Sequence, residues 1–144
     1  MQVQLRMNYE MNSELLADSN LSLGDYHVLS ALAEAPGERM RMSSLATYIG
    51  WELSRLSHHT SRMAKRDLIE RLPSGSDRRA TDVRLTAFGR ETIRRAAPAH
   101  VALVRRLFFG GLPSNLQHGF QQALSGIYES LIRDGTLAAP PHEV

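Results

Sequence analysis

Apolar residues recur four apart at Val3, Met7, Met11 and Leu15, with Gln4, Asn8, Glu10 and Asn12 around them. That spacing predicts an amphipathic helix over 1–18. A Ser-x-x-Asp capping pattern, Ser22 with Asp25, precedes Tyr26, Val28, Leu29 and Leu32 and predicts a second helix that stops at Pro36-Gly37. Ser43 is placed to cap a short helix through Leu45, Ala46 and Ile49, with Gly50 supplying the left-handed residue at its end. After the turn Gly50-Trp51-Glu52, Ser54 is placed to cap an element running to about Arg66. Two short helices joined by a glycine-containing turn have the outline of a helix-turn-helix.

The period changes after Leu68. Ile69 and Leu72 lead into PSGSDRRA, and Val83 and Leu85 then alternate with Asp82 and Arg84, which predicts a two-stranded hairpin. Thr86 is placed to cap a long helix through Ile93. Pro98 falls inside its pattern and is expected to kink or interrupt it, yet Val101, Leu103, Val104 and Leu107 continue the periodicity. Gly110-Gly111 ends this element. Pro113 suits a first helical turn, and Leu116, Phe120, Leu124, Ile127 and Leu131 mark a last helix closing at Gly135.

With 144 residues, 42% of them hydrophobic, the chain is sized for one domain. It has no cysteine, which removes disulfides, thiolate metal sites, cysteine nucleophiles and thiol redox sensing. No apolar run is long enough to span a bilayer and the start MQVQLRMNYE lacks a secretion-signal pattern, so a cytoplasmic protein without membrane association is expected. The net charge of +2 conceals an asymmetry: residues 39–95 hold 13 of the 17 Lys+Arg and 6 of the 15 Asp+Glu, net +7 against −5 for the rest. A local field of this kind attracts a polyanion.

On a helical wheel, residues 54–66 place Leu56, Thr60 and Met63 on one side and Ser54, Ser57, His58, Ser61, Arg62 and Lys65 on the other, with Arg55 as a further candidate. A face of small hydroxyls with one arginine and one histidine can approach a major groove closely. His58 is assigned to the DNA side and His59 to the partly buried side. Arg78 and Arg79 at the hairpin tip fit a narrow, electronegative minor groove, with Asp77 beside them to orient the guanidiniums.

The segment ERLPSGSDRRATDVRLTAFGR, residues 70–90, resembles the wing signature of the MarR family of bacterial transcription regulators, with its Asp-Arg-Arg element, alternating strand, Leu-Thr and Gly. SSLATYIG and SRLSHHTSRMAKRDLIERL resemble that family's helix-turn-helix helices. The likeness covers residues 21–90, and the flanking helices agree in number and order. Asp67 stands where the family commonly has Gly, a change that the left-handed tolerance of Asp accommodates. The last helix carries SNLQHGF where the family often has acidic residues.

The resemblance implies a mainly α fold with a small β-hairpin wing: a winged helix-turn-helix over 21–89, dimerisation helices at 1–20 and 90–135, and a flexible tail at 136–144. It implies a homodimeric regulator, more often a repressor, on a palindromic double-stranded DNA operator. It also implies a small aromatic or phenolic effector bound between the two regions, for which Tyr26, His27, Trp51 and Arg55 are candidates. In the last helix, Gly119 and Gly126 either permit close approach of a neighbour or simply weaken the helix.

No cofactor is expected. None of the histidines at 27, 58, 59, 100, 118 and 142 lies three or four residues from another on a helix, so no metal site is expected. No phosphate loop, nucleophile elbow or zinc-hydrolase pattern is present, and Ser57-His58 lacks an orienting carboxylate, so no catalytic residues are assigned. Two other readings stand beside the regulator: an architectural DNA-binding protein without operator preference, and a hydrolytic enzyme.

Overall fold

A computed structural model describes residues 1–75 and 77–140, and at Arg78 only the backbone. Six helices occur in order: α1 (Gln2–Ser19), α2 (Leu23–Glu34), α3 (Met42–Ile49), α4 (Leu53–Lys65), α5 (Ala87–Leu107) and α6 (Gln117–Asp134). A small sheet of β1 (Arg39–Arg41), β2 (Ile69–Ser74) and β3 (Asp77–Leu85) packs against α2, α3 and α4. Strand order is β1-β3-β2, antiparallel throughout, with Met40 opposite Val83 and Ile69 opposite Leu85. The sequence predicts only the β2–β3 hairpin. Strand β1 is a third member, whose three residues are too few to display alternation and whose partner lies some forty residues away.

Local chemistry sets most boundaries. Ser22 Oγ accepts the Asp25 N–H while the Asp25 carboxylate accepts the Ser22 N–H, closing a capping box at the start of α2. Thr86 Oγ1 accepts the Gly89 N–H and so caps α5. Helix α3 ends in Gly50 at φ 71°, with the Trp51 N–H returning to the Ala46 carbonyl. Helix α4 ends the same way through Asp67 at φ 58°: the Asp67 and Leu68 N–H groups donate to the Ala64 and Met63 carbonyls, and Leu68 is buried beneath.

Two local expectations are corrected. The cap of α3 is Arg41 rather than Ser43, and that of α4 is Glu52 rather than Ser54; neither end has a side-chain cap hydrogen bond. Helix α5 is not interrupted by Pro98. It runs unbroken through 21 residues, and the lost hydrogen bond sits on an exposed stretch that water can satisfy. Pro113 precedes a short 3-10 turn, Ser114–Leu116, ahead of α6.

The core joins Leu15 and Leu21 to Val28, Leu29 and Leu32 of α2, Leu45 of α3, Leu56 and Met63 of α4, and Val83 and Leu85 of β3. Leu56, Thr60 and Met63 are the buried stripe of α4, as the wheel predicts, so the opposite face is turned outward. By contrast α6 has no buried residue at all.

Candidate nucleic-acid interface

Ser54, Arg55, His58, Arg62 and Lys65 are exposed on α4, and Ser57 and Ser61 are half-buried. The structure thus gathers the predicted face onto one side of one helix. The two half-buried serines are covered by a residue that the sequence does not flag. Arg71 reaches from β2 to donate from Nη1 to Ser61 Oγ and, at 3.4 Å, from Nη2 to Ser57 Oγ. In the chain Arg71 is an ordinary polar strand position; only the packing of β2 beside α4 brings it to the helix.

Ion pairing then divides the basic residues of the segment 39–95. Arg39 pairs with Asp82, Arg66 with Asp25, Arg84 with Glu70, Arg90 with Glu38, and Arg94 and Arg95 with Glu91. Glu91 is held down to about 2 by its hydrogen bonds to Arg94 and Arg95. Among the described side chains of this segment Arg41, Arg55, Arg62, Lys65, Arg71 and Arg79 have no carboxylate partner, and all six lie on β1, α4 and the wing. Within this segment the unpaired charge is therefore concentrated there, while the arginines in the first half of α5 are paired in place.

At the wing tip Asp77 does not orient the Arg79 guanidinium. Its Oδ1 accepts the Arg79 backbone N–H at 2.9 Å, a turn-forming contact, and leaves the Arg79 side chain exposed. The assignment of Arg78 to the tip falls on a side chain outside the described residues. Behind the tip, Arg41 Nη2 reaches Ser74 Oγ at 3.5 Å.

Beneath α4 lies a polar cluster. Asp25 is buried and its carboxylate accepts from Arg66 Nη1 at 2.7 Å and from the Ser22 N–H at 2.9 Å; His59 Nε2 lies 2.9 Å away, oblique to a linear hydrogen bond. Burial alone would raise this carboxyl, but the contacts with His59, Arg66 and Ser22 outweigh it and hold Asp25 far below the usual carboxylate range. The His59 ring meets Trp51 edge-on at 5.1 Å, and the Arg55 guanidinium stacks on the other ring at 4.1 Å.

The four effector candidates thus occupy two environments. Trp51 and Arg55 belong to the cluster below α4. Tyr26 instead lies against the buried His100 of α5 with ring centroids 4.3 Å apart, and His100 Nδ1 is 3.3 Å from Glu14 Oε2 of α1. Burial, followed by the charges of Glu14 and Glu34, raises the Tyr26 hydroxyl above its ordinary value. His27 is exposed beside it. Among the described residues no three His, Cys, Asp or Glu side chains come together as a metal-binding group; His142 lies outside them. Among them too, no helix is long and apolar enough to cross a membrane.

This geometry has close counterparts. AbsC, a MarR family transcriptional regulator from Streptomyces coelicolor, is 39% identical, with 90% of this chain and 87% of that chain covered and a TM-score of 0.84. Sco3205, a MarR family transcriptional regulator from the same organism whose structure is in complex with DNA, is 31% identical over 97% and 86% of the two chains, with a TM-score of 0.86. CouR from Rhodococcus jostii RHA1, bound to p-coumaroyl-CoA, shares the fold at 24% identity and a TM-score of 0.74, with 88% and 86% covered. No curated protein matches the chain. The MarR family model matches residues 21–81, the stretch that carries α4 and the wing tip. By that match, and by its identity over most of the chain to two of the family's transcriptional regulators, the protein belongs to the MarR family.

Proposed function

We propose that this protein is a homodimeric, sequence-specific DNA-binding repressor acting in the cytoplasm, and that α4 and the wing form its DNA-binding surface. The observation that carries this reading is the gathering of the carboxylate-free cations of residues 39–95 onto β1, α4 and the wing. In the proposed complex α4 enters a major groove with Ser54, Arg55, Ser57, His58, Ser61, Arg62 and Lys65, and the wing bearing Asp77, Arg78 and Arg79 follows an adjacent minor groove. Arg71 joins this surface through Ser57 and Ser61. Two-fold symmetry calls for an inverted repeat with half-sites roughly 10 bp apart, and bound protein would occlude the promoter.

The dimer rests on the outer helices. Val3 and Tyr9 of α1 are 66% and 68% exposed, and Ile127 and Leu131 of α6 are 58% and 63% exposed. A helix with an apolar stripe and no buried residue gains nothing from packing within its own chain, and a second copy supplies the cover. We assign 1–20 and 90–135 to this dimerisation region and 21–89 to DNA. Sedimentation equilibrium is expected to give twice the chain mass; a monomer at micromolar concentration would contradict the assignment. Release by a small aromatic acid acting near Tyr26 and His27 belongs to the same reading, and loss of the DNA complex on addition of such acids would test it.

The function is tested by selecting a duplex from a randomised library with the purified protein and comparing it with a scrambled duplex across salt. Preference by several powers of ten is expected. Steeply salt-dependent binding without preference would favour an architectural protein, and no binding would overturn the reading. Arg62→Ala is expected to cost about 1–3 kcal/mol on the selected duplex and to relax one position. Arg79→Ala is expected to weaken both duplexes alike and flatten the salt dependence.

A further inference from the structure

Arg62 is not free on its helix. Its Nη2 lies 3.1 Å from His59 Nδ1, one turn earlier. A guanidinium only donates, so Nδ1 accepts and the ring proton sits on Nε2. That tautomer also suits the other side of the ring, where Nε2 faces the Asp25 carboxylate at 2.9 Å; a lone pair pointed at the same oxygen would be repelled. Arg66, Asp25 and the edge of Trp51 complete the surroundings of the ring. Gly24 makes room for it: a Cβ there would lie 2.8 Å from Trp51 Cη2 and 3.1 Å from His59 Cε1.

We propose that His59, faced by Asp25 and Trp51, is a positioning residue that presents Arg62 to DNA through the Nδ1 acceptor. This rests on the assignment of α4 as the recognition helix. Without that acceptor Arg62 loses its support and spends conformational freedom on binding that the ring had already removed. His59 need not touch DNA for this. Its neighbour His58 is the one turned outward.

The experiment measures the ratio of affinities for the selected and scrambled duplexes at pH 7.5. Wild type, His59→Gln, Arg62→Ala and the double variant are compared. Gln keeps a donor within reach of Asp25 but removes the acceptor at the Nδ1 position. The ratio is expected to fall tenfold or more in His59→Gln at pH 7.5, with no further fall in the double variant beyond Arg62→Ala. Additive losses would overturn the proposal while leaving the DNA-binding reading intact. A wild-type protein that selects no duplex would overturn both. Should His59→Gln fail to fold, nitrogen NMR of the wild-type ring decides: protonated Nε2 with an Nδ1 resonance that moves in Arg62→Ala supports the proposal, and the opposite tautomer rejects it.

Discussion

Asp25→Ala is expected to lower the unfolding free energy at neutral pH by about 2 kcal/mol, the cost of leaving a buried donor without its charged acceptor. Two groups lose their acceptor together, the Ser22 N–H at the start of α2 and Arg66 after α4, and His59 Nε2 loses the carboxylate that it faces at 2.9 Å. Arg66 can turn to water; the Ser22 N–H cannot do so as readily. Asp25→Asn should lose less, because the amide oxygen still accepts the Ser22 N–H. The pH dependence has a definite sign. The folded carboxyl lies far below its unfolded value of about 3.9, so its contribution is complete above that pH and fades as pH falls towards the folded value. Urea unfolding as a function of pH should therefore show the gap between wild type and Asp25→Asn narrowing below about pH 4. A gap that widens there would contradict the ionised carboxylate.

A loss of similar size is expected from Gly89→Ala, although this adds a single methyl group in a helix. A Cβ at this position would fall 1.9 Å from the Leu68 carbonyl oxygen and 3.2 Å from Leu85 Cδ1. That carbonyl is held in place, accepting from the Thr86 N–H and from Thr86 Oγ1 at 3.0 Å. Neither backbone can yield alone, so the expected cost is about 3 kcal/mol, the upper end of ordinary overpacking and opposite in sign to the gain in helix propensity. Thermal unfolding would measure it. A loss below about 1 kcal/mol would mean that α5 does not start packed onto Leu68.

The same position shows why parts of the molecule are legible in the sequence and others are not. Thr86 and the Ser22-Asp25 pair work within one turn of chain, so their patterns predict α5 and α2 directly. The left-handed residues at Gly50 and Asp67 are local for the same reason. What Gly89 avoids is a carbonyl some twenty residues upstream, and spacing alone gives no sign of it. Arg71 over Ser57 and Ser61, the pairing of β1 with β3, and the contact between Asp25 and His59 are likewise products of tertiary packing. Serine is a common cap, but that preference misleads at Ser43 and Ser54, where burial of Met42 and Leu56 sets the helix starts instead.

Strand β3 ends at Leu85, Thr86 is the cap, and α5 begins at Ala87. The chain has no slack at this joint, so the wing and the long helix turn as one stiff lever. In the proposed dimer, two such levers meeting at the outer helices make a ruler for operator spacing. A single base pair inserted between half-sites rotates one of them by about 35° relative to the other, given roughly 10 bp per turn. A rigid ruler cannot follow that rotation. Its selectivity would lie in the distance between half-sites as much as in their letters.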